Sequence, residues 1–406
     1  MASTEDIVRK APLSEMLASV LYLGVVGYGG PAVLAQMKRT FTQQHDWFTE
    51  TEFMQALSLA QVLPGATGVS VMGYLGYRKY RFWGAILFPL AYIAPALTAV
   101  IAISWAYFNY GGLSFVKPLF VGLGALVVAL LLNATLNLGK SVFKGKRSDL
   151  YKGAIISVLT FVGTYMLKLN IIWLIIAAGL LGAAFFYSRG EPQSLEAAET
   201  AQGAHPSKSR FRITAAHLPL FILAAAIAVI MVFATTRLLF VTFFQIGLFA
   251  FGGGFTAVPL IQHIVVDQFH WMSFTQFRDG IAVGQITPGP VFITATFIGY
   301  KVSGVVGALV ATFGVFLPST TLMVSLVGVH EKVKHLKIVQ VVIRGFLFGF
   351  IGMLVSVTLQ FALKSLAGWQ TWVVFGGVFF YVWYLKKNAI WAILATIAFS
   401  LLVIGR

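Results

Sequence analysis

From Ser14 almost to its end, the chain is a succession of apolar runs, each long enough to cross a lipid bilayer and separated by short charged or Gly/Pro-containing stretches. A helical crossing needs about 20 mostly apolar residues. No water-soluble core requires 58% hydrophobic against 10% charged residues over 406 positions. In lipid every backbone N–H and C=O must be satisfied within the protein, which leaves helices and closed barrels. Runs of this length exclude the roughly 10-residue alternating strands of a barrel. The expected fold class is therefore all-α: a polytopic integral membrane protein.

Thirteen candidate spans fall near residues 14–37, 51–77, 82–109, 115–138, 151–167, 170–188, 213–236, 239–262, 276–300, 303–329, 338–363, 369–385 and 388–404. The one polar linker, 189–212, divides the chain. This predicts a first transporter-like unit over 1–188, a linker plus an extra helix over 189–236, and a second unit over 237–406. The net charge of +16 comes from basic residues scattered through short loops, without the stripe or basic domain of a nucleic-acid binder. With the N-terminus placed in the cytoplasm, most of the 29 Lys and Arg fall on the cytoplasmic side. Arg78, Lys79, Arg81, Lys140, Arg278, Lys386 and Lys387 are among them, while Lys38 and Arg39 fall on the other side. That bias predicts a multi-pass protein of the cell membrane, inner or cytoplasmic, with its N-terminus inside. Residues 1–12 lack the pattern of a cleaved signal peptide. Without cysteine there is neither a disulfide framework nor a thiolate metal site, and the seven His show no metal-ligand spacing.

Punctuating residues repeat at an offset of 223 or 224. Tyr28-Gly29-Gly30 recurs as Phe251-Gly252-Gly253, and Trp47 with Phe53 as Trp271 with Phe277. Gln61-Val62-Leu63-Pro64-Gly65 recurs as Gln285-Ile286-Thr287-Pro288-Gly289, and Gly76-Tyr77-Arg78 as Gly299-Tyr300-Lys301. Counting the Pro-Gly segments as crossings, an odd number of spans separates the copies, which predicts an inverted repeat, a plan common among secondary transporters. Re-entrant Pro-Gly segments would turn the same count even and the copies parallel.

Each half has two places where a helix cannot run straight: Gly29-Gly30-Pro31 and Pro64-Gly65 in the first, Gly252-Gly253-Gly254 and Pro288-Gly289 in the second. Pro removes a donor and clashes with the preceding turn, and Gly opens backbone angles closed to other residues. A half-helix N-terminus at such a break presents free N–H groups and a positive dipole end, enough to hold an anion near the midplane. Gln61 and Gln285, with Thr67 and Thr287, either donate to that anion or satisfy carbonyls freed at the breaks. Arg78 and Lys301 either attract anions at the two mouths or anchor helix ends at the interface. Arg344 stands inside an apolar run, where an unpaired charge is costly and marks function. Among the scarce carboxylates, Asp279 and Glu52 are the candidates for coupling to an ion gradient; both also suit the first turn of a helix. A phosphate loop of Walker type, a nucleophile–base set and a paired acid are all missing from the sequence, so neither an enzyme nor a cofactor is expected.

These motifs in combination, across both halves, resemble the long, two-domain members of the chromate ion transporter family. The resemblance implies export of chromate from the cytoplasm, with sulfate as its close structural analogue, driven by an ion gradient. Sulfate or other anion uptake, exchange or a channel are the alternatives, and a membrane-embedded lipid-phosphate transferase is a distant one. Tyr28 departs from the family's usual Phe, and Gln262-His263 stands where an acidic residue is common. The partners expected are a chromate or sulfate anion and the lipid bilayer. A homodimer is the expected assembly, through small-residue patterns such as Gly345 with Gly349.

Overall fold

The computed structural model describes residues 12–28, 30–144, 147–187, 236–326 and 336–405. The candidate linker 189–212 and nearly all of span 213–236 lie outside them, as does Gly29. The described residues are helical, with no strand among them.

The first half runs α1 (Leu13–Val26), α2 (Gly30–Lys38) continued by a π-helical turn Arg39–Gln44, α3 (Glu50–Val62) and α4 (Thr67–Tyr110). After these come α5 (Val116–Val142), α6 (Arg147–Tyr165) and α7 (Ile171–Phe186). The second half repeats the order. It has α8 (Thr236–Phe249), a 3-10 turn Gly254–Thr256 leading into α9 (Ala257–Gln262), a π-helical turn His263–Gln268, and α10 (Phe274–Ile286). A second 3-10 turn, Val291–Ile293, opens α11 (Thr294–Ser325). Then follow α12 (Lys337–Ser365), α13 (Trp369–Phe379) with a π-helical end Phe380–Tyr384, and α14 (Ala389–Phe399) with a π-helical end Ser400–Ile404. Four segments are long and apolar enough to cross a membrane: α4, α5, α11 with its opening turn, and α12.

The correspondence reaches the caps. Each π-helical turn ends before a non-glycine residue in the left-handed region, Asp46 (φ 51°) and His270 (φ 51°). The chain then reaches a tryptophan whose backbone N–H donates to a carbonyl of the turn, Trp47 to Phe41 at 3.0 Å and Trp271 to Val265 at 2.9 Å. A capping box starts the next helix in both halves, Thr49 with Glu52 and Ser273 with Gln276. These reciprocal bonds satisfy orphan donors of the first turn and fix where each helix starts.

The runs 14–37, 51–77, 239–262 and 276–300, read from the sequence as spans, are each divided at their Gly/Pro positions. A 13-residue helix such as α3 is about 20 Å long, too short for a core of roughly 30 Å. It does not continue through. The Arg78 guanidinium near the end of the first α4 segment donates to Glu52 at the start of α3 at 2.7 Å, and Tyr74 donates to Gln55 at 3.5 Å. The chain therefore goes in along α3, turns at Leu63–Ala66, and returns to the end it left. Glu15 at the start of α1 lies 3.9 Å from His45 beyond α2, so the α1–α2 pair also returns.

α4 itself doubles back. At Tyr80 (φ −125°, ψ 21°) and Arg81 (φ 49°, ψ −131°) its backbone leaves helical geometry. A Cβ on Gly76 would land on the Gly84 carbonyl, whereas in a straight helix residues that far apart are about 12 Å distant. α11 has the same fold-back at Ser303 and Gly304, with Gly299 against Gly307 and the Thr296 and Thr312 hydroxyls 2.7 Å apart. Glycine at these crossings lets the two backbones touch. Beyond the fold-back, the long arm of α4 ends where that of α11 begins: Phe108 stacks on Tyr300 at 6.1 Å, and Lys301 lies 5.1 Å over the Phe108 ring.

α5 and α12 pack against each other, and Thr135 meets its repeat counterpart Thr358 at 3.4 Å. α12 also packs on α6 and α7. There Gly345 meets Gly182 and Gly349 meets Ala178, so these small residues, expected at a dimer interface, are used inside the chain.

Candidate functional site

The breaks are local consequences of sequence. Val62 and Ile286 end their helices, and the next residues, Leu63 (ψ 151°) and Thr287 (ψ 141°), are extended because a following proline disfavours the helical region. Gly65 (φ 104°) and Gly289 (φ 124°) then take backbone angles closed to side-chain-bearing residues. A Cβ on Gly289 would come within 2.8 Å of Ala96 Cβ, so the turn has neither the conformation nor the space for one.

Tertiary structure brings the four breaks together in two crossed pairs. The Gly65 N–H donates to the Ala250 carbonyl at 2.8 Å, and the Gly289 N–H donates to the Gly27 carbonyl at 2.9 Å. Gly65 and Gly289 are repeat counterparts, as are Gly27 and Ala250. Each Pro-Gly break of one half is thus bonded to the Gly break of the other. Gly252 (φ 87°) and Gly253 (φ 111°) carry the chain past Ala250, and Gly254 packs against Val291, which opens the helix after the Pro288-Gly289 break. The two crossings differ in one hydroxyl: Tyr28 donates to the Ile286 carbonyl at 3.1 Å, and its counterpart Phe251 has none to give. Beside Phe251, a cavity of about 420 Å³ is lined by apolar side chains including Val62, Leu63, Pro64 and Phe346.

The family profile described as Chromate transporter matches residues 14–183 and 237–401, so each half carries the family's features. The chain belongs to the chromate transporter family. It is 33% identical over 355 residues to a chromate transport protein of Cupriavidus metallidurans, covering 87% of this chain and 84% of the relative. It is 31% identical over 388 residues to an uncharacterized transporter of Methanocaldococcus jannaschii, covering 95% and 93%. A chromate transport protein of Pseudomonas aeruginosa is 27% identical over 405 residues, covering 97% and 93%. No solved structure matches. The family is one of membrane transporters and not of enzymes.

In this member of the chromate transporter family the side chains singled out by sequence divide into those at the breaks and those elsewhere. Gln285 is at the end of α10 beside the Pro288-Gly289 break, and its buried Nε2 has no hydrogen-bond partner. Gln61, its counterpart, is exposed. Thr287 is buried; its hydroxyl donates to the Val283 carbonyl at 3.0 Å and lies 3.4 Å from the Gly284 carbonyl, which Pro288 has no N–H to satisfy. Thr67 opens α4 directly after its break, and Gly30 and Pro31 open α2. Arg78 and Glu52 are an ion pair at one end of the molecule, and Lys301 lies over Phe108 at the other. Arg344, expected as an unpaired charge, is paired: Asp149 accepts from it at 3.3 Å, and its guanidinium lies 4.5 Å from the Phe186 ring centroid. No cluster suited to a metal ion occurs among the described residues.

Asp279 is 4% exposed and held on both oxygens. Arg278 donates to Oδ1 from Nε at 3.0 Å and from Nη2 at 2.8 Å, and the Tyr107 hydroxyl donates to Oδ2 at 2.8 Å. Arg278, counted in the sequence as a loop cation, is 9% exposed inside the protein. It and Tyr107 were missed as site residues. The Arg-Asp step inside an otherwise apolar helix was the available signal for Arg278. Nothing local marks Tyr107, 172 residues away from Asp279.

Proposed function

We propose that this protein is a secondary active transporter that moves chromate out of the cytoplasm, with sulfate as an analogue and competitor. The anion would bind near the midplane at the four Gly/Pro breaks. The observation that carries this reading is the pair of crossed backbone bonds, Gly65 to Ala250 and Gly289 to Gly27, which gathers the breaks at one place. α2 and α4 start at these breaks, and the helical turns at Gly254 and Val291 follow them; in this reading their first-turn N–H groups and positive dipole ends hold the anion. The open Nε2 of Gln285 adds a neutral donor. Dipoles and neutral donors hold a dianion less tightly than full charges do, which suits a site that must also release it.

The two halves are read as oppositely oriented: α1–α2 returns as well as α3–α4, so two crossings rather than one drop out of the count between the copies and it stays odd. Support comes from the ends: Arg78, Glu52, Glu15 and His45 share the end at which α1 begins, whereas Lys301 is at the far end of α4. The Thr135–Thr358 contact between repeat counterparts fits a two-fold relation between the halves, because equivalent residues meet on such an axis. In this arrangement Lys38 and Arg39 join the N-terminal end and Arg278 leaves it, which sharpens the charge bias that places that end in the cytoplasm. Two crossed pairs that open in turn would give alternating access.

The test is flux of radiolabelled sulfate and of chromate into proteoliposomes, with and without an imposed pH gradient, for the parent and Gly289→Leu. Saturable, gradient-dependent flux in the parent, lost in folded Gly289→Leu, supports the site at the breaks. Absence of flux of either anion in folded, reconstituted parent overturns the oxyanion reading.

A further inference from the structure

A buried ion pair at best roughly breaks even in stability against apolar side chains of the same volume. Arg278 and Asp279 therefore call for a reason other than holding α10 in place. Their surroundings provide one. Gly124 of α5 faces the guanidinium: a Cβ there would lie 2.9 Å from Arg278 Cδ and 3.0 Å from Nε, so only glycine leaves the room that Arg278 occupies. Among the described residues, the guanidinium donates only to Asp279, and only from Nε and Nη2, leaving other N–H groups of a five-donor fork without an acceptor. Arg278 and Gln285 are seven positions apart in α10, hence on one face of the helix. That face therefore carries, from its outer turn to the break, a guanidinium with spare donors and an amide whose buried Nε2 has no partner. In the first half the counterpart of Arg278 is Met54 and that of Asp279 is Gln55, so the arrangement exists on one side only.

We infer that Arg278 is an oxyanion-binding residue between the break and the membrane face of α10, and that the Asp279 carboxylate occupies its donors as a resident anion which the cargo displaces. Tyr107, donating to the other carboxylate oxygen, keeps Asp279 in reach to take Arg278 back when the cargo leaves. The planar fork matches two oxygens of a tetrahedral oxyanion as it matches a carboxylate. This inference rests on the oxyanion-transporter reading.

The test measures the KM for chromate and for sulfate in proteoliposomes, with equilibrium binding in detergent, for Arg278→Gln, Arg278→Lys, Asp279→Asn and the paired Arg278→Met/Asp279→Leu. Arg278→Gln is expected to raise KM roughly tenfold or more, the scale of a lost charge-assisted bond, with Arg278→Lys in between. Asp279→Asn removes the competitor and is expected to lower KM and tighten binding several-fold, whereas a merely structural pair would give no tightening. The paired apolar variant keeps α10 packed and is expected to lose binding, which decides the question if a single variant does not fold. An unchanged KM in Arg278→Gln, a raised KM in Asp279→Asn, or normal binding by the paired variant overturns the inference while leaving transport by the parent intact. A parent that binds neither anion instead removes the reading beneath it.

Discussion

Arg81 and Gly304 hold matching fold-backs with different residues. Both sit in the left-handed region, at φ 49° and 58°, with ψ near −140°, where a side chain is strained and glycine is not. A Cβ built on Gly304 meets nothing within 4 Å, so the cost of adding one is backbone strain alone. Gly304→Ala is expected to lower stability by about 1–3 kcal/mol. Arg81→Gly is expected to be close to neutral. The strain it relieves is offset by an exposed cation–π contact to Tyr77 of about 0.5–1 kcal/mol and by the larger freedom of glycine in the unfolded chain. Thermal unfolding of both variants in detergent reads the difference, and equal losses in the two would contradict this account. The sequence places a boundary at both fold-backs, between the runs 51–77 and 82–109 and between 276–300 and 303–329, but it does not mark Arg81 or Gly304 as the residue that takes the left-handed angle, because arginine and glycine meet the same local demand in the two copies.

Among the elements, the short helices α3 and α10 carry the breaks, and their positions depend on their first turns. The Thr49–Glu52 and Ser273–Gln276 boxes fix where each begins, hence how deep each break lies. Thr49→Ala and Ser273→Ala are each expected to cost about 1 kcal/mol. Because the helix start shifts with the cap, each should also reduce flux more than an equally destabilising change in α13, which carries no break. Comparing flux per folded protein among the three variants checks this. Sequence spacing made the breaks legible in detail, since proline and glycine act through local backbone rules. It left open whether the chain runs on or returns after each break, because a kink and a return make the same local demands.

For the whole molecule, the arrangement predicts opposite faces for counterpart residues. Gln44 and Gln268 end the matching π-helical turns and are both exposed. The chain has no cysteine, so Gln44→Cys and Gln268→Cys each introduce a single reactive thiol. A membrane-impermeant maleimide is expected to label Gln268→Cys in intact cells and Gln44→Cys only after the membrane is opened. Labelling of both from one side would refute the opposed orientation. Composition and the length of apolar runs by themselves determined an all-helical membrane protein, because lipid accepts little else. The offset repeats determined its two related halves and the sites of its four breaks. What only the tertiary structure decided were the relations between distant parts: Glu52 reaching back to Arg78, Gly65 and Gly289 bonded to the opposite half, Arg344 paired with Asp149, and Asp279 clasped by Arg278 and Tyr107. A buried charge or a freed N–H takes its meaning from its partner, and here each partner comes from a part of the chain that only folding brings near.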